Sequence, residues 1–548
     1  MVTSPDKVRV KVNEPLQSRT NVAGLFITLL GLLARLWAAH GTFLNPDEAL
    51  HFRLANQTSL ALAYKASLTA AHPPLLILLL YYWRALGTSE LWLRMPSVLA
   101  GAAFCWMFYK WLSKAAGRLA GLIGLLFVAF LPPIIRLAAE VRQYSLLLAF
   151  LVSALYFLDE AFTKNSASRM AAFALCLYVA MLFHYSAFWF AAALGLYALF
   201  RIFSERPPPR VVAAWALSQF SGLALAAFLY KTHLSKLSAN NSTSQLQWLI
   251  NEPYLRRSFF DRAHDNPVLF LIGHTFGVFQ YFFGQLAVGD AMTLLFVLAV
   301  VLLFRGKGSL QDLKSSRRLG LFLLLPFAII GGACLAHVYP YGGTRHVAFL
   351  IIPAMAGVSV AIARLAKGRW NRALTITALV IIACLVFGKA RQPWMERADQ
   401  SRTNMAEAMD IVRKNVAPSD LIFTDYQSDL ILGHYLCRQR PIVLDLPPAG
   451  FEQFHCEGYQ IASTDYKTAW MLSADDFPQD WQRVVEAYSL KPGDTVWVFQ
   501  AGWGVDLPED LRTQFAEFHD LRFESFGKNI KTFKMTVGQP MPTATPSQ

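Results

Sequence analysis

The sequence predicts an α-helical polytopic membrane protein of about eleven transmembrane helices, with outer juxtamembrane helices and a C-terminal extracytoplasmic α/β domain. Three observations carry this. Of 548 residues, 55% are hydrophobic and 16% charged, against roughly a quarter charged in a soluble chain. The apolar residues come in blocks, and 119–135 and 319–336 hold no charge at all. Such runs cross a hydrocarbon core of about 30 Å when helical, and they lack the polar stripe of a soluble helix. After residue 390 the apolar runs shorten to strand length, and Asp and Glu become frequent.

At the N-terminus, Lys7, Arg9, Lys11 and Arg19 precede an apolar run over 22–39. It is long for a signal-peptide core and lacks a small-residue cleavage site, so it reads as a retained first span, with 1–21 cytoplasmic. Further spans are expected near 92–112, 119–136, 144–160, 170–187, 188–204, 211–231, 285–304, 318–337, 346–366 and 372–389. With this count the short cationic loops (Lys110 to Arg118, Lys164 and Arg169, Arg201 to Arg210, Arg305 to Arg318, Arg364 to Arg372) all share the N-terminal side. That is the positive-inside pattern of an inner (cell) membrane protein. Counting 73–87 or 266–284 as spans would break it. Both are expected instead as interfacial or re-entrant helices on the outer side, lining a cavity.

The transmembrane module is therefore 22–390, and an odd span number places 391–539 outside, with 540–548 a disordered tail. In that domain 404–416 and 508–519 read as helices, 417–420 as a turn, and 421–424, 441–444 and 495–499 as strands. The net charge of +14 lies in the short loops rather than on one face, which excludes nucleic acid as a partner. Cys105, Cys176, Cys334 and Cys384 sit in apolar blocks; Cys437 and Cys456 lie in the polar domain, their pairing open. No cysteine spacing matches a zinc site.

The chemistry-bearing residues fall in the expected outer loops. The first contains Asn45-Pro46-Asp47-Glu48 with His51, then His72-Pro73-Pro74, then Leu91-Trp92-Leu93-Arg94-Met95-Pro96. The next outer turn reads Ala139-Glu140-Val141-Arg142-Gln143-Tyr144, and Arg345-His346 opens the tenth span after Tyr339, Tyr341 and Gly342-Gly343. Each has a bland reading. Acids collect at hydrated span ends; Glu140 with Arg142 and Tyr144 can be a salt bridge capping a helix; Gly342-Gly343 can be a plain turn. Arg35 and Arg94 can snorkel to the interface or pair with a local acid.

In this order the motifs resemble the GT-C superfamily: protein O-mannosyltransferases, lipid A aminoarabinose transferases and the sugar transferases of rhizobial lipopolysaccharide core. The resemblance is strongest over 20–200 and does not extend to the C-terminal domain. It implies an inverting glycosyltransferase that moves a hexose or pentose from a polyprenyl-phosphate-linked donor in membrane lipid. The acceptor would be a hydroxyl of a glycolipid, lipopolysaccharide or protein at the outer face. It assigns Asp47 as general base or acceptor-positioning group, Glu48 as support, and Glu140 to the donor or acceptor, although the mannosyltransferase branch favours Asp there.

The chemistry agrees. A phosphate leaves without an acid, so one carboxylate within reach of the acceptor suffices, and single displacement inverts the anomeric carbon. The donor phosphate calls for cations, with Arg35, Arg94 and Arg345 at outer depth, since a guanidinium fork matches a phosphate oxygen pair. His72, Arg142, Tyr144, Tyr339, Tyr341 and His346 complete the substrate-binding set. His72 could ligate a metal with Glu48 or His51, but no pair has helical metal spacing; a cavity-wall role is expected and no cofactor. A transporter or flippase of a lipid-linked saccharide is the alternative. It would place polar residues near mid-membrane with internal pseudo-symmetry, which this chain lacks. A membrane-anchored scaffold leaves the Asp47 loop unexplained.

Overall fold

The structure is a computed structural model that describes residues 14–236, 253–306, 313–388, 400–418, 420–437, 441, 451–464, 470–505, 507, 511 and 522–537. It forms two compact units: Met1–Trp37, Pro96–Ala139 and Gln143–Lys389 in the first, Ala38–Met95, Glu140–Arg142 and Ala390–Gln548 in the second.

The first unit is helical. Among the described residues, nine helices are long and apolar enough to cross a membrane, or ten with one bent pair, against the eleven expected. Two expected spans differ from the sequence reading. The third is broken into Arg118–Phe130 and Pro132–Ala138 at 65°, because Pro132 and Pro133 carry no N–H to continue the ladder. The fifth is the 17-residue helix Ala167–Phe183. The segments expected not to span form the shorter apolar helices Leu75–Leu86 and Pro267–Phe283. Arg345–Leu365 is the most buried span. Between its polar ends, 347–363 is apolar on every face but for Ser359, and small where neighbours approach: a Cβ on Gly357 would fall 2.3 Å from the Phe296 ring.

The second unit carries a six-stranded sheet. In chain order its strands are β1 Leu421–Thr424, β2 Phe451–Cys456, β3 Tyr459–Thr464, β4 Thr495–Ala501, β5 Arg522–Ser525 and β6 Ile530–Thr536. Their spatial order is β2-β3-β1-β4-β6-β5. β1 is parallel to both neighbours, with Ile422 opposite Ile461 and Trp497; the β2–β3 and β4–β6–β5 pairs are antiparallel. Phe423, Phe451, Phe477, Val484, Val496, Val498 and Phe533 form its core. Cys437 and Cys456 are joined as a disulfide.

Helix Arg402–Asn415, β1 and β4 lie where the sequence places them. The expected strand over 441–444, helix over 508–519 and tail over 540–548 fall wholly or almost wholly outside the described residues. The boundary at 390/391 needs a correction, since this unit also takes in the first loop, 38–95, and the turn 140–142.

Candidate active site

Asn45-Pro46-Asp47-Glu48 is a helix-start signature: an Asn cap, Pro in the first turn and Glu three residues after the cap. The helix Pro46–Ala55 follows, and the capping box is complete. Asn45 Oδ1 accepts from the Glu48 amide at 3.0 Å, and the Asn45 amide donates to Glu48 Oε2 at 3.0 Å. Glu48 is buried. Arg94 grips it bidentately, Nε to Oε1 and Nη2 to Oε2, both at 2.7 Å, and the Val141 amide donates to Oε1 at 2.8 Å. Burial pushes the Glu48 carboxyl up, but the Arg94 charge and these hydrogen bonds outweigh it and hold the group below the ordinary carboxylate range.

Arg94 also donates to the carbonyls of Ala39 at 2.7 Å, Thr42 at 2.9 Å and Phe43 at 2.9 Å. A guanidinium has five N–H groups, and all are consumed. The expectation that Arg94 holds donor phosphate is therefore corrected: the loop backbone and Glu48 leave it no hand for a ligand.

Asp47, one residue earlier, points elsewhere. Its side chain is 15% exposed, and the buried Arg142 brings Nη1 to 3.1 Å from Oδ2. The turn that carries Glu140 and Arg142 thus reaches the acidic helix twice, through the Val141 amide on Glu48 and through Arg142 on Asp47. His51 Nδ1 lies 2.6 Å from the Asp47 carbonyl oxygen, and its ring stacks on His72 at 6.2 Å. Asp47, Glu48, His72, Arg94, Glu140 and Arg142 are all in this unit. Among the described residues, no three His, Cys, Asp or Glu side chains gather as a metal site.

The other end of the helix is held by residues that no local motif singles out. Arg53 Nη1 donates to Asp429 Oδ2 at 2.6 Å, 376 residues away, and Nη2 reaches Glu452 at 3.4 Å. Ser463 Oγ donates to the same Asp429 oxygen at 3.2 Å. The Phe52 ring meets His434 edge-on at 4.8 Å, and burial together with the Arg94 charge pushes that imidazole down to about 3. The Leu44 amide donates to the Tyr435 hydroxyl at 2.9 Å, which donates to Glu90 at 3.1 Å. The Asp47 helix is thus mounted on the C-terminal sheet unit.

The first unit holds the remaining expected residues. Arg35 is fully buried and donates to the carbonyls of Val128 at 2.7 Å, Ala129 at 3.1 Å and Gly31 at 3.0 Å. Val128 and Ala129 are the acceptors whose i+4 donors would be Pro132 and Pro133, so Arg35 replaces two amides that do not exist. A Cβ on Gly101 would lie 2.7 Å from its Nε. Arg35 braces the broken helix, which corrects its assignment to the donor.

Tyr339 donates from its hydroxyl to the His346 carbonyl at 3.1 Å and packs on Trp189. Tyr144 packs against His184 at 5.3 Å, and His184 Nδ1 lies 2.8 Å from Ser186 Oγ; His184, Ser186 and Trp189 were not foreseen. Tyr341 shares a 2.6 Å hydrogen bond with Thr275. Gly342, at φ +148°, has His274 Nδ1 2.6 Å from where a Cβ would sit, and Gly343 has the Gly277 oxygen at 2.6 Å. The glycines let the loop before Arg345 nest on helix Pro267–Phe283, more than a plain turn requires. Arg345 itself is half-buried at the start of a six-residue 3₁₀ turn, Arg345–Leu350.

Comparison with known proteins fits this architecture. The dolichyl-phosphate-mannose-protein mannosyltransferase family matches residues 71–230. The fold matches ArnT from Cupriavidus metallidurans bound to undecaprenyl phosphate at TM-score 0.52, and its apo state at 0.51, over 93% of this chain and 97% of that one with 12% identity. The family match covers under a third of the chain, and at 12% identity the likeness to ArnT is one of fold. The oligosaccharyltransferase of Archaeoglobus fulgidus in complex with Zn and sulfate scores 0.49 at 12% identity, over 87% of this chain and 67% of that chain. No curated protein matches in sequence. The family match takes in His72, Arg94, Glu140, Arg142 and Tyr144 but begins after Asp47 and ends before the first strand of the sheet.

Proposed function

We propose that the chain is an inverting glycosyltransferase that moves a sugar from a polyprenyl-phosphate-linked donor to a hydroxyl acceptor, with Asp47 as base. The observation that carries this reading is the division of labour between the two acids: Glu48 is saturated by Arg94 and two amides, whereas Asp47 keeps a partly exposed side chain on the helix those contacts lock. Asp47 takes the acceptor proton as the acceptor oxygen bonds to the anomeric carbon. The bond from that carbon to phosphate oxygen breaks, and the polyprenyl phosphate leaves with the electron pair. Arg142 orients Asp47; Arg345, with Tyr339, Tyr341 and His346 nearby in sequence, takes the phosphate. The ArnT structure with undecaprenyl phosphate supports a lipid phosphate as donor carrier. No step in this scheme is routed through a metal.

The site is proposed to face outward from the inner membrane, and the Cys437–Cys456 disulfide supports this, since disulfides persist in oxidising compartments. A reporter fused after residue 389 is expected to read as periplasmic, and fusions within 110–118 and 305–318 as cytoplasmic. A cytoplasmic C-terminal reporter defeats the placement of the site.

The acceptor is a glycolipid, lipopolysaccharide or protein. Mass spectrometry of envelope glycolipids and glycoproteins from a deletion strain tests the reading. Loss of one hexose, pentose or uronic acid names sugar and acceptor together, and an unchanged envelope counts against it.

Arg345→Ala is expected to weaken binding of a labelled donor about ten- to hundred-fold, the equivalent of one charge-assisted hydrogen bond of roughly 1.5–3 kcal/mol. Arg345→Lys recovers part, keeping the charge but not the fork. If Arg345 only anchors its span, Lys substitutes fully and donor affinity stays put.

A further inference from the structure

The sheet unit carries a second group of side chains that the reaction above does not use. In the strand order, β1 has β3 on one side and β4 on the other, and the chain passes from β1 to the β2–β3 side before crossing to β4. The carboxyl ends of β1 and β4 therefore flank the switch point where open α/β sheets collect ligands. Asp425, just past β1, caps helix Tyr426–Tyr435 through the Ser428 amide at 2.9 Å and accepts from the Leu472 amide at 3.2 Å.

Gln427 is buried and fastens two loops at once. Its amide donates to the Trp470 carbonyl at 3.2 Å. Its side chain donates to the Trp503 carbonyl at 2.8 Å and accepts from the Trp503 amide at 3.1 Å. Three half-exposed aromatic rings are thereby fixed side by side. Tyr426 and Trp470 have centroids 5.3 Å apart and are inclined by 53°; Trp470 and Trp503 are 6.5 Å apart and inclined by 26°. Among the described residues, Gln500 Oε1 and Trp503 Nε1, on the same β4 end, are buried polar atoms that find no hydrogen-bond partner.

This cluster abuts the Asp47 helix. At Gly502, with φ +122°, an added Cβ would lie 2.8 Å from Pro46 Cγ and 2.8 Å from Gln427 Oε1. Pro46 is the residue before Asp47.

We propose that Tyr426, Trp470 and Trp503 form a saccharide-binding platform beside the Asp47 helix that seats a sugar ring of the acceptor. The assignment to the acceptor rests on the reading of Asp47 as base; saccharide binding itself does not. A pyranose offers its C–H groups to an aromatic face, and three partly exposed rings present such faces here. A peptide adding to the sheet needs an unpaired edge. The strands beneath the platform have none, since β1 pairs with β3 and β4, and β4 with β1 and β6. This ranks a glycan above a peptide as the acceptor surface.

The test titrates the purified full chain in detergent, without donor, against a panel of hexose-, heptose- and glucosamine-containing oligosaccharides, read by tryptophan fluorescence. Saturable binding of at least one is expected, weakened about ten-fold or more by Trp470→Ala or Trp503→Ala and largely kept by Trp503→Tyr. Thermal melts verify folding, and should the alanine variants fail to fold, Trp470→Leu and Trp503→Leu give the apolar, non-aromatic comparison. The proposal is overturned by no saturable binding across the panel, by equal binding in the non-aromatic variants, or by binding of a Ser/Thr-rich peptide alone. It is equally overturned if the variants lose only partition into phospholipid vesicles, the mark of an interfacial anchor. Because donor is absent, failure here leaves the Asp47 reading standing, and wild-type turnover in Asp47→Asn would leave the platform standing.

Discussion

Asp47→Asn is expected to lower sugar transfer about 10²–10⁴-fold, the usual cost of removing a positioned base. The amide keeps the size of the side chain and an oxygen for Arg142, now 3.1 Å from Asp47 Oδ2, but it cannot take a proton from the acceptor. The helix start is untouched, because the capping box uses Asn45 and Glu48. Donor binding should therefore hold while kcat falls, the pattern of an interaction realised in the transition state. A modest drop in melting temperature is expected, because the buried Arg142 keeps a neutral partner where it had an anion. Single-turnover kinetics with purified donor and acceptor measure this directly, and turnover near wild type removes Asp47 from the chemistry.

The legible parts of the sequence are those with local causes. Apolar blocks exclude water along a whole helix, so nearly all the expected spans form long apolar helices. The motif around Asp47 is legible for the same reason, since a cap, a proline and a glutamate three residues on act within one turn. Tertiary pairing is different. At outer depth Arg94 looks equally suited to phosphate and to carboxylate, and the choice depends on a glutamate 46 residues earlier. Arg35 carried a readable hint: Pro132-Pro133 orphans two carbonyls that some donor must satisfy. The sequence does not say which donor. Arg53 and Asp429 have no local signature, and their pairing shows that the first loop and the sheet fold together. Short strands such as β2 and β3 were missed because six-residue runs of mixed polarity carry little period.

The largest expected loss of stability follows from the Glu48–Arg94 pair. Breaking a buried ion pair by removing one partner costs about 3–5 kcal/mol, because the other charge stays in place without compensation. Glu48→Gln leaves the Arg94 guanidinium buried beside a neutral amide, and it should melt well below wild type and lose activity in step with folded protein. Arg94→Met is expected to be worse. It strands the Glu48 carboxylate and also the carbonyls of Ala39, Thr42 and Phe43, which have Arg94 as donor. Glu48→Gln with Arg94→Met together should recover only part of that loss, since the three carbonyls remain orphaned. The pH dependence has a defined sign. The folded Glu48 carboxyl lies below its unfolded value, so its stabilisation is present above the ordinary glutamate range and is lost as pH falls through the depressed value. Glu48→Gln should flatten that acid limb in melts of the detergent-solubilised chain. If Glu48→Gln instead melts like wild type while turnover collapses, Glu48 acts in the chemistry and the division of labour between the two acids is reversed.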